Sequence, residues 1–312
     1  MKLFLFLFLF VSSHVYSSTD IKTAISKLTD KSDAQIIEVA KKAFVMIDSY
    51  NPRTGHVSSG SAFFINPDGY LITNYHIVEN FLSEDKKFVF TLYDGSHVDG
   101  SFEIVRCSDN RKIDLCILKL NVKNEYYFNI VPIEEKLGTK VFILGNKSWL
   151  PVALLDTGSV IDVYDDLHQT IHINKYDKNY GVRIVELKAP LFTYGYSGGP
   201  IFDSQGDLIA VSTLLVMLKE KYRKLPEAKV GVSNKEVYTY MTSKTISGAK
   251  YAGKKCETDK DLFKLDFLKK MCSAGADPCI NGINAVCADK TRQEDCTKIK
   301  AFYAAITNKT KR

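Results

Sequence analysis

From Phe44 to Thr213 the chain is a succession of short β-rich runs broken by turn residues, and this pattern constrains its fold more than any other feature. The runs include Phe44–Asp48, Ser61–Ile65, Tyr70–Thr73, Phe88–Leu92, Leu115–Leu120, Val141–Leu144, Gly158–Val163, Val182–Leu187 and Leu208–Thr213. Turn signals such as Asn66-Pro67-Asp68-Gly69 and Asp94-Gly95 fall between them. Strands this short, with little helix between them, specify an antiparallel all-β barrel or sandwich and disfavour a parallel α/β sheet. Helical periodicity is confined to the flanks: Asp30 to Lys42 before the first strand, and Lys235–Met241 after a further strand at Val230–Val232. With 45% hydrophobic and 25% charged residues over 312 positions, the chain can bury sizeable cores, and its composition is neither disordered, collagen-like nor coiled-coil.

The first residues set a compartment. Lys2 precedes nine apolar residues, Leu3 to Val11, and then small or polar residues through Ser18, the order of a secretory signal peptide cleaved after Ser17 or Ser18. Nine apolar residues are too few to span a bilayer, which takes about 20. No other segment is long and apolar enough, so no transmembrane segment is predicted. An exported, periplasmic or extracellular chain is expected, where its seven cysteines can form disulfides with at least one left unpaired. Five of the seven lie between Cys256 and Cys296, and the charge balance shifts there too. Of 42 basic and 36 acidic residues, 21 and 11 lie from Lys219 onward, giving +10 there against −4 before it. A solvated basic face accounts for this; contact with an anionic surface or an acidic protein is the functional alternative. Specific nucleic-acid binding is not expected.

Three segments carry chemistry. Gly195-Tyr196-Ser197-Gly198-Gly199-Pro200 sets a serine among glycines, which let a backbone turn aim several N–H groups at one point beside a hydroxyl. A serine alcohol needs a base to attack at neutral pH, and His76, just past the strand Tyr70–Thr73, offers one. The imidazole needs a partner that holds its tautomer, and Asp114 opens the apolar strand Leu115–Leu120. Singly, each has a plain structural explanation: a surface histidine, a turn-capping aspartate, a tight glycine loop. His56, His97, His168 and His172 lack comparable flanks and default to structural or surface roles. No metal site is expected, since the late cysteines form no close pair and have no histidine nearby.

At these residues the sequence resembles the chymotrypsin-like serine proteases, and within them the bacterial HtrA/Deg-type branch. The likeness rests on Gly60-Ser61-Ala62-Phe63-Phe64-Ile65, on Asp68-Gly69-Tyr70-Leu71-Ile72-Thr73-Asn74 leading to His76, on Asp114-Leu115 followed by Ile117-Leu118-Lys119, and on Gly195 to Pro200. Val230-Gly231-Val232 and the helix after it also fit, so the resemblance spans roughly residues 43–242. It implies His76 as general base, Asp114 as its orienting partner, Ser197 as nucleophile, and backbone N–H groups of Gly195 and Ser197 as the oxyanion hole. It further implies a polypeptide substrate, an acyl-enzyme and no cofactor.

The expected architecture is two antiparallel six-stranded β-barrels with the site in the cleft between them. The signal peptide covers 1–18, an N-terminal segment 19–42, the first barrel 43–122, the second barrel with its closing helix 123–242, and a basic, cysteine-rich, helical module 243–312. That module, predicted helical over Asp261–Met271 and Lys298–Ile306 and held by two disulfides, is read as a clamp packed on the second barrel. About 70 cysteine-rich residues follow Met241, so the PDZ domain usual in that branch is not expected. No cleavage motif for a freed Ile/Val N-terminus precedes Phe44. The resemblance also implies that Leu191, six residues before Ser197 where related enzymes line the specificity pocket, and Ser212 are substrate-pocket residues, and the apolar Leu191 points to cleavage after small or apolar residues. Cys107 and Cys116 flank the turn into Asp114, where a bracing disulfide and a buried free thiol both fit. The rival reading keeps the fold as a binding or regulatory protein without turnover, and an esterase would use the same three residues.

Overall fold

The computed structural model describes residues 19–28, 31–51, 57–79, 87–98, 101–107, 113–146, 153–164, 183–213, 229–242, 251–255, 283, 287 and 293–309. The predicted signal peptide, the charged stretch at 218–228, the helix predicted over 261–271 and His56, His168 and His172 lie outside these residues.

Two antiparallel sheets form the body. In the first, β2 (Phe44–Tyr50), β3 (Val57–Phe64), β4 (Tyr70–Thr73), β5 (Lys87–Leu92), β6 (Ser101–Cys107) and β7 (Cys116–Leu120) run in the order β6-β7-β4-β3-β2-β5. In the second, β9 (Lys140–Gly145), β10 (Leu154–Tyr164), β11 (Ile184–Lys188), β12 (Pro200–Asp203), β13 (Leu208–Ser212) and β14 (Lys229–Ser233) close into a barrel. The expected first barrel is thus a half-barrel: among the described residues β5 and β6 are not paired, and the outer edge of β6 instead takes β15 (Tyr251–Lys255). The described strand that follows residue 243, β15, thus pairs with the first sheet.

Period-two alternation sorts the side chains into three cores. Every residue of β2 is buried because both of its faces are covered. Val45 and Ile47 face the inside of the first sheet with Phe64, Phe88, Phe90, Phe102 and Leu118. Phe44 and Met46 face the other way, into a core shared with Phe142, Leu144, Phe202, Val211 and Val232 of the barrel. Val141, Ile143, Val185, Leu187, Ile201 and Ile209 fill the barrel itself. The strand alternation of β2 and β9 therefore welds the two sheets, since each lends one face to the shared core.

The flanks reinforce this joint. Helices α1 (Ile21–Ser26) and α2 (Asp33–Lys41) are capped by Asp20 and by a Ser32/Gln35 capping box, and they bury Ile21, Ile25, Ile36 and Ala40 in the shared core. The short strand β1 (Thr19–Asp20) pairs in parallel with β8 (Tyr126–Tyr127). Helix α4 (Asn234–Thr242) closes the barrel, and its Tyr240 lies under the Arg106 guanidinium of β6, 4.3 Å from ring centroid to Cζ. A last helix, α5 (Gln293–Lys309), contains the segment predicted helical at 298–306. Cys287–Cys296 staples its first turn.

Of the two readings of Cys107 and Cys116, the disulfide is the one that forms. The two residues are direct partners across β6 and β7, and both are buried. Closing a loop of nine residues' separation is worth about 2–3 kcal/mol through the unfolded chain. A Cys107→Ser/Cys116→Ser double variant should therefore melt several degrees lower in a calorimetric scan. Strong reductant, which opens Cys287–Cys296 as well, should lower the wild type by at least as much.

Candidate active site

Strand β4 ends at Thr73, and the chain turns through Asn74 into the one-turn helix α3 (Tyr75–Glu79), which carries His76. Asp114 sits at the end of the turn leading into β7, in the left-handed region at φ 54°, the one non-glycine among the described residues to do so. Aspartate tolerates that conformation better than most residues, and its cost is met by the bonds that the residue makes. The Asp114 carboxylate accepts the His76 backbone N–H at 3.0 Å and lies 2.8 Å (Oδ2) and 3.1 Å (Oδ1) from His76 Nδ1. Asn74 Nδ2 donates to the Asp114 carbonyl at 2.9 Å, which locks the positive-φ residue to the strand end that supplies the histidine. From the other sheet, the Thr213 hydroxyl donates to Asp114 Oδ2 at 2.5 Å. With Nδ1 turned to the carboxylate, the imidazole's Nε2 is the nitrogen left for a proton acceptor's role.

Ser197 lies in the turn between β11 and β12, with Gly195 at φ 96° and Gly198 at φ 85°. Its residue is 8% exposed. The turn is seated against the first sheet: Ser61 N–H donates to the Ser197 carbonyl at 2.8 Å, and a Cβ on Gly198 would lie 2.1 Å from Ser61 O, 2.5 Å from Thr73 Oγ1 and 3.1 Å from Asn74 N. The serine turn is therefore packed directly on the residues that precede His76. Tyr196 inserts into the barrel, stacked on Phe192 with its ring against Gly145. Burial, with the charge of Asp156 behind it, pushes its phenol up to about 12, so the ring stays neutral. The N–H groups of Tyr196, Gly198 and Gly199 are bonded within the fold. Those of Gly195 and Ser197 have no acceptor among the described residues. A pair of free amides beside a serine can stabilise negative charge on a substrate oxygen.

The remaining predicted positions divide. Leu191 is 62% exposed at the entry to the turn, where Asp156, itself buried, accepts its N–H at 2.8 Å. Tyr194 is 73% exposed beside it. Ser212 is fully buried, and its hydroxyl faces the carbonyl oxygens of Tyr196 and Gly199 (3.0 Å to the latter). His97 is bonded to Thr91 on the β5 hairpin, away from these residues in the sheet. Three further participants do not stand out from the sequence. Thr213 reads there only as the end of a strand, Asn74 only as part of a motif, and Asp156 as no candidate at all. A buried polar residue ending or interrupting an apolar run is the available signal for each.

A closed barrel and a half-barrel meeting at a His–Asp pair and a serine turn define a chymotrypsin-like protein. Residues 60–211 match the trypsin-like peptidase domain, and through that domain the chain is a distant homologue of the HtrA/DegP proteins. A probable periplasmic serine endoprotease DegP-like of Brucella suis biovar 1 is 27% identical over 170 residues, 53% of this chain and 29% of that protein. Serine protease HTRA1A of Danio rerio is 24% identical over 59% of this chain and 36% of its own length. Serine protease HTRA4 of Homo sapiens is 26% identical over 63% and 39%. The chain thus spans less than two fifths of the length of these relatives. Among solved structures, the Rv3671c protease from M. tuberculosis in its active form superposes with a TM-score of 0.50 at 17% identity, covering 68% of this chain and 84% of that one. The HtrA-type protease AlgW, solved with a tripeptide, gives 0.50 at 19% identity over 66% and 61%. Both establish the fold.

Proposed function

We propose that the chain is an exported serine endopeptidase with Ser197 as nucleophile, His76 as general base and Asp114 as the residue that orients it. The observation that carries this reading is the chain of bonds Thr213–Asp114–His76, which ends beside the turn that presents Ser197 and two unpartnered amides. His76 takes the Ser197 proton as Oγ attacks the scissile carbonyl, and the imidazolium is stabilised by Asp114. Gly195 and Ser197 N–H hold the oxyanion of the tetrahedral intermediate. Its collapse expels the amine, protonated by His76, and leaves an acyl-enzyme that water cleaves by the same steps in reverse. None of these steps uses a metal or cofactor.

Cleavage after small or apolar residues follows from Leu191, which puts no charge at the mouth of the site to receive a cationic side chain. Export is supported by the signal-like N-terminus, by the two described disulfides and by the periplasmic designation of the Brucella relative. Among the described residues no helix is long and apolar enough to cross a membrane.

The test is hydrolysis of casein by the chain lacking residues 1–18, with parallel labelling by a fluorophosphonate. Hydrolysis that stops in step with labelling is the expected result; a folded chain that neither labels nor cleaves sinks the reading. Thr213→Val keeps the side-chain shape and removes the donor to Asp114. A hydrogen bond to a charged group is worth about 1.5–3 kcal/mol, so the variant should lose at least about tenfold in kcat/KM and should also melt a few degrees lower.

A further inference from the structure

The serine turn is held by its carbonyl oxygens, and two serines outside the triad do most of the holding. Three consecutive carbonyls are all bonded. Gly195 O accepts from Ser61 Oγ at 2.7 Å and from Asn146 N at 3.2 Å. Tyr196 O accepts from Ser212 Oγ and from Gly199 N at 2.9 Å. Ser197 O accepts from Ser61 N at 2.8 Å. Both serines are fully buried, Ser61 on β3 of the first sheet and Ser212 on β13 of the barrel. Ser61 Oγ is itself fixed, because it accepts from Asn146 N at 3.0 Å, and Asn146 Nδ2 donates to the buried Asp48 at 2.9 Å.

In a trans peptide the N–H points opposite to its C=O. Anchoring the Tyr196 carbonyl on Ser212 therefore aims the Ser197 N–H away from the barrel interior, where it has no acceptor among the described residues. Anchoring the Gly195 carbonyl on Ser61 fixes the plane that follows Gly195 Cα. The direction of the Gly195 N–H then follows from that residue's own ψ and φ, the latter a 96° that glycine adopts freely.

We infer that Ser61 and Ser212 are positioning residues that orient the Gly195 and Ser197 amides, so that the oxyanion hole is aimed by one buried hydroxyl from each sheet. The inference rests on the reading of Ser197 as nucleophile. Neither serine touches the reacting atoms; each acts through the turn. Replacing either hydroxyl leaves its carbonyl one remaining donor, Asn146 N for Gly195 and Gly199 N for Tyr196, so no buried acceptor is orphaned and the fold should survive.

The experiment measures the rate of fluorophosphonate labelling against pH for wild type, Ser61→Ala and Ser212→Ala, with Ser49→Ala as a control. Ser49 is also buried on the first sheet, with its hydroxyl bonded to Ser58. The phosphonyl oxygen occupies the oxyanion position during labelling, so this rate reports the hole directly. Deleting an oxyanion donor outright costs about 10²–10³ in rate, and misaiming one should lower the pH-independent plateau by about 10–100-fold. The expected result is that loss in both variants, with an unchanged pH midpoint, full labelling at long times and a wild-type rate for Ser49→Ala. The two serines lie on different sheets, so either variant alone decides the matter if the other misfolds. A plateau within twofold of wild type, a shifted midpoint with an unchanged plateau, or an equal loss in Ser49→Ala overturns the inference. A wild type that never labels defeats the nucleophile assignment first, and this inference with it.

Discussion

Ser197→Ala and His76→Ala should each abolish fluorophosphonate labelling and lower kcat/KM on casein by about 10⁴–10⁶. The two losses should be of similar size and should not add in the double variant, because the hydroxyl and the imidazole act as one unit: neither accelerates the reaction without the other. A residual rate above that of water is expected from the Gly195 and Ser197 amides, which neither change touches. Circular dichroism and melting should match wild type, since Ser197 and His76 contribute little to the three cores. Additive losses would mean that the serine and histidine work in separate steps, which the seating of the turn on Thr73 and Asn74 gives no reason to expect.

Gly198→Ala should be as damaging to activity and far more damaging to stability. The new methyl would sit 2.1 Å from Ser61 O, a backbone atom that cannot swing aside, on a residue whose φ of 85° already disfavours a side chain. The left-handed conformation costs about 1–2 kcal/mol and overpacking a further 1–3 kcal/mol, so a loss of about 2–5 kcal/mol should appear in urea unfolding. Any relief must come from lifting the turn off the first sheet. That breaks the Ser61 N–H to Ser197 carbonyl bond and moves the nucleophile away from His76. An activity loss without a stability loss would show that the turn can be reseated at no cost, contrary to its close packing on Ser61 and Thr73.

The strands are legible in the sequence where alternation is clean. Phe44–Tyr50, Tyr70–Thr73 and Leu208–Ser212 can each be read within a residue or two, because each opens on an unbroken apolar run. Strand β6 cannot. Its alternation of Phe102 and Ile104 is broken by a register shift between Ile104 and Arg106, which puts the charged Glu103 and Arg106 among the apolar residues and hides the period of two. Strand β12 is hidden for another reason. Only four residues long, it starts on a proline directly after the glycines of the serine turn, where a strand's first residue needs no donor. The three proposed triad positions can be read because their chemistry constrains residue type and flanks together. Ser61, Thr213 and Asp156 act through ordinary hydrogen bonds that many residues make, and only the fold says to which partner. The half-barrel is illegible because closure depends on whether β5 reaches β6, a matter of strand tilt on which side-chain pattern is silent.

The pairing of β15 with β6 joins Tyr251 to Ile104 and Lys255 to Ser101, partners about 150 positions apart. Contacts so remote in sequence carry a large loop-closure cost and form late. As the chain is synthesised from its N-terminus, β6 is complete long before its outer neighbour exists. Through that interval its row of unpaired amides and carbonyls is a template for strands from other copies. The nascent protein is therefore most prone to self-association just before its final fifth arrives, and a product stopped after Thr242 would remain in that vulnerable state permanently.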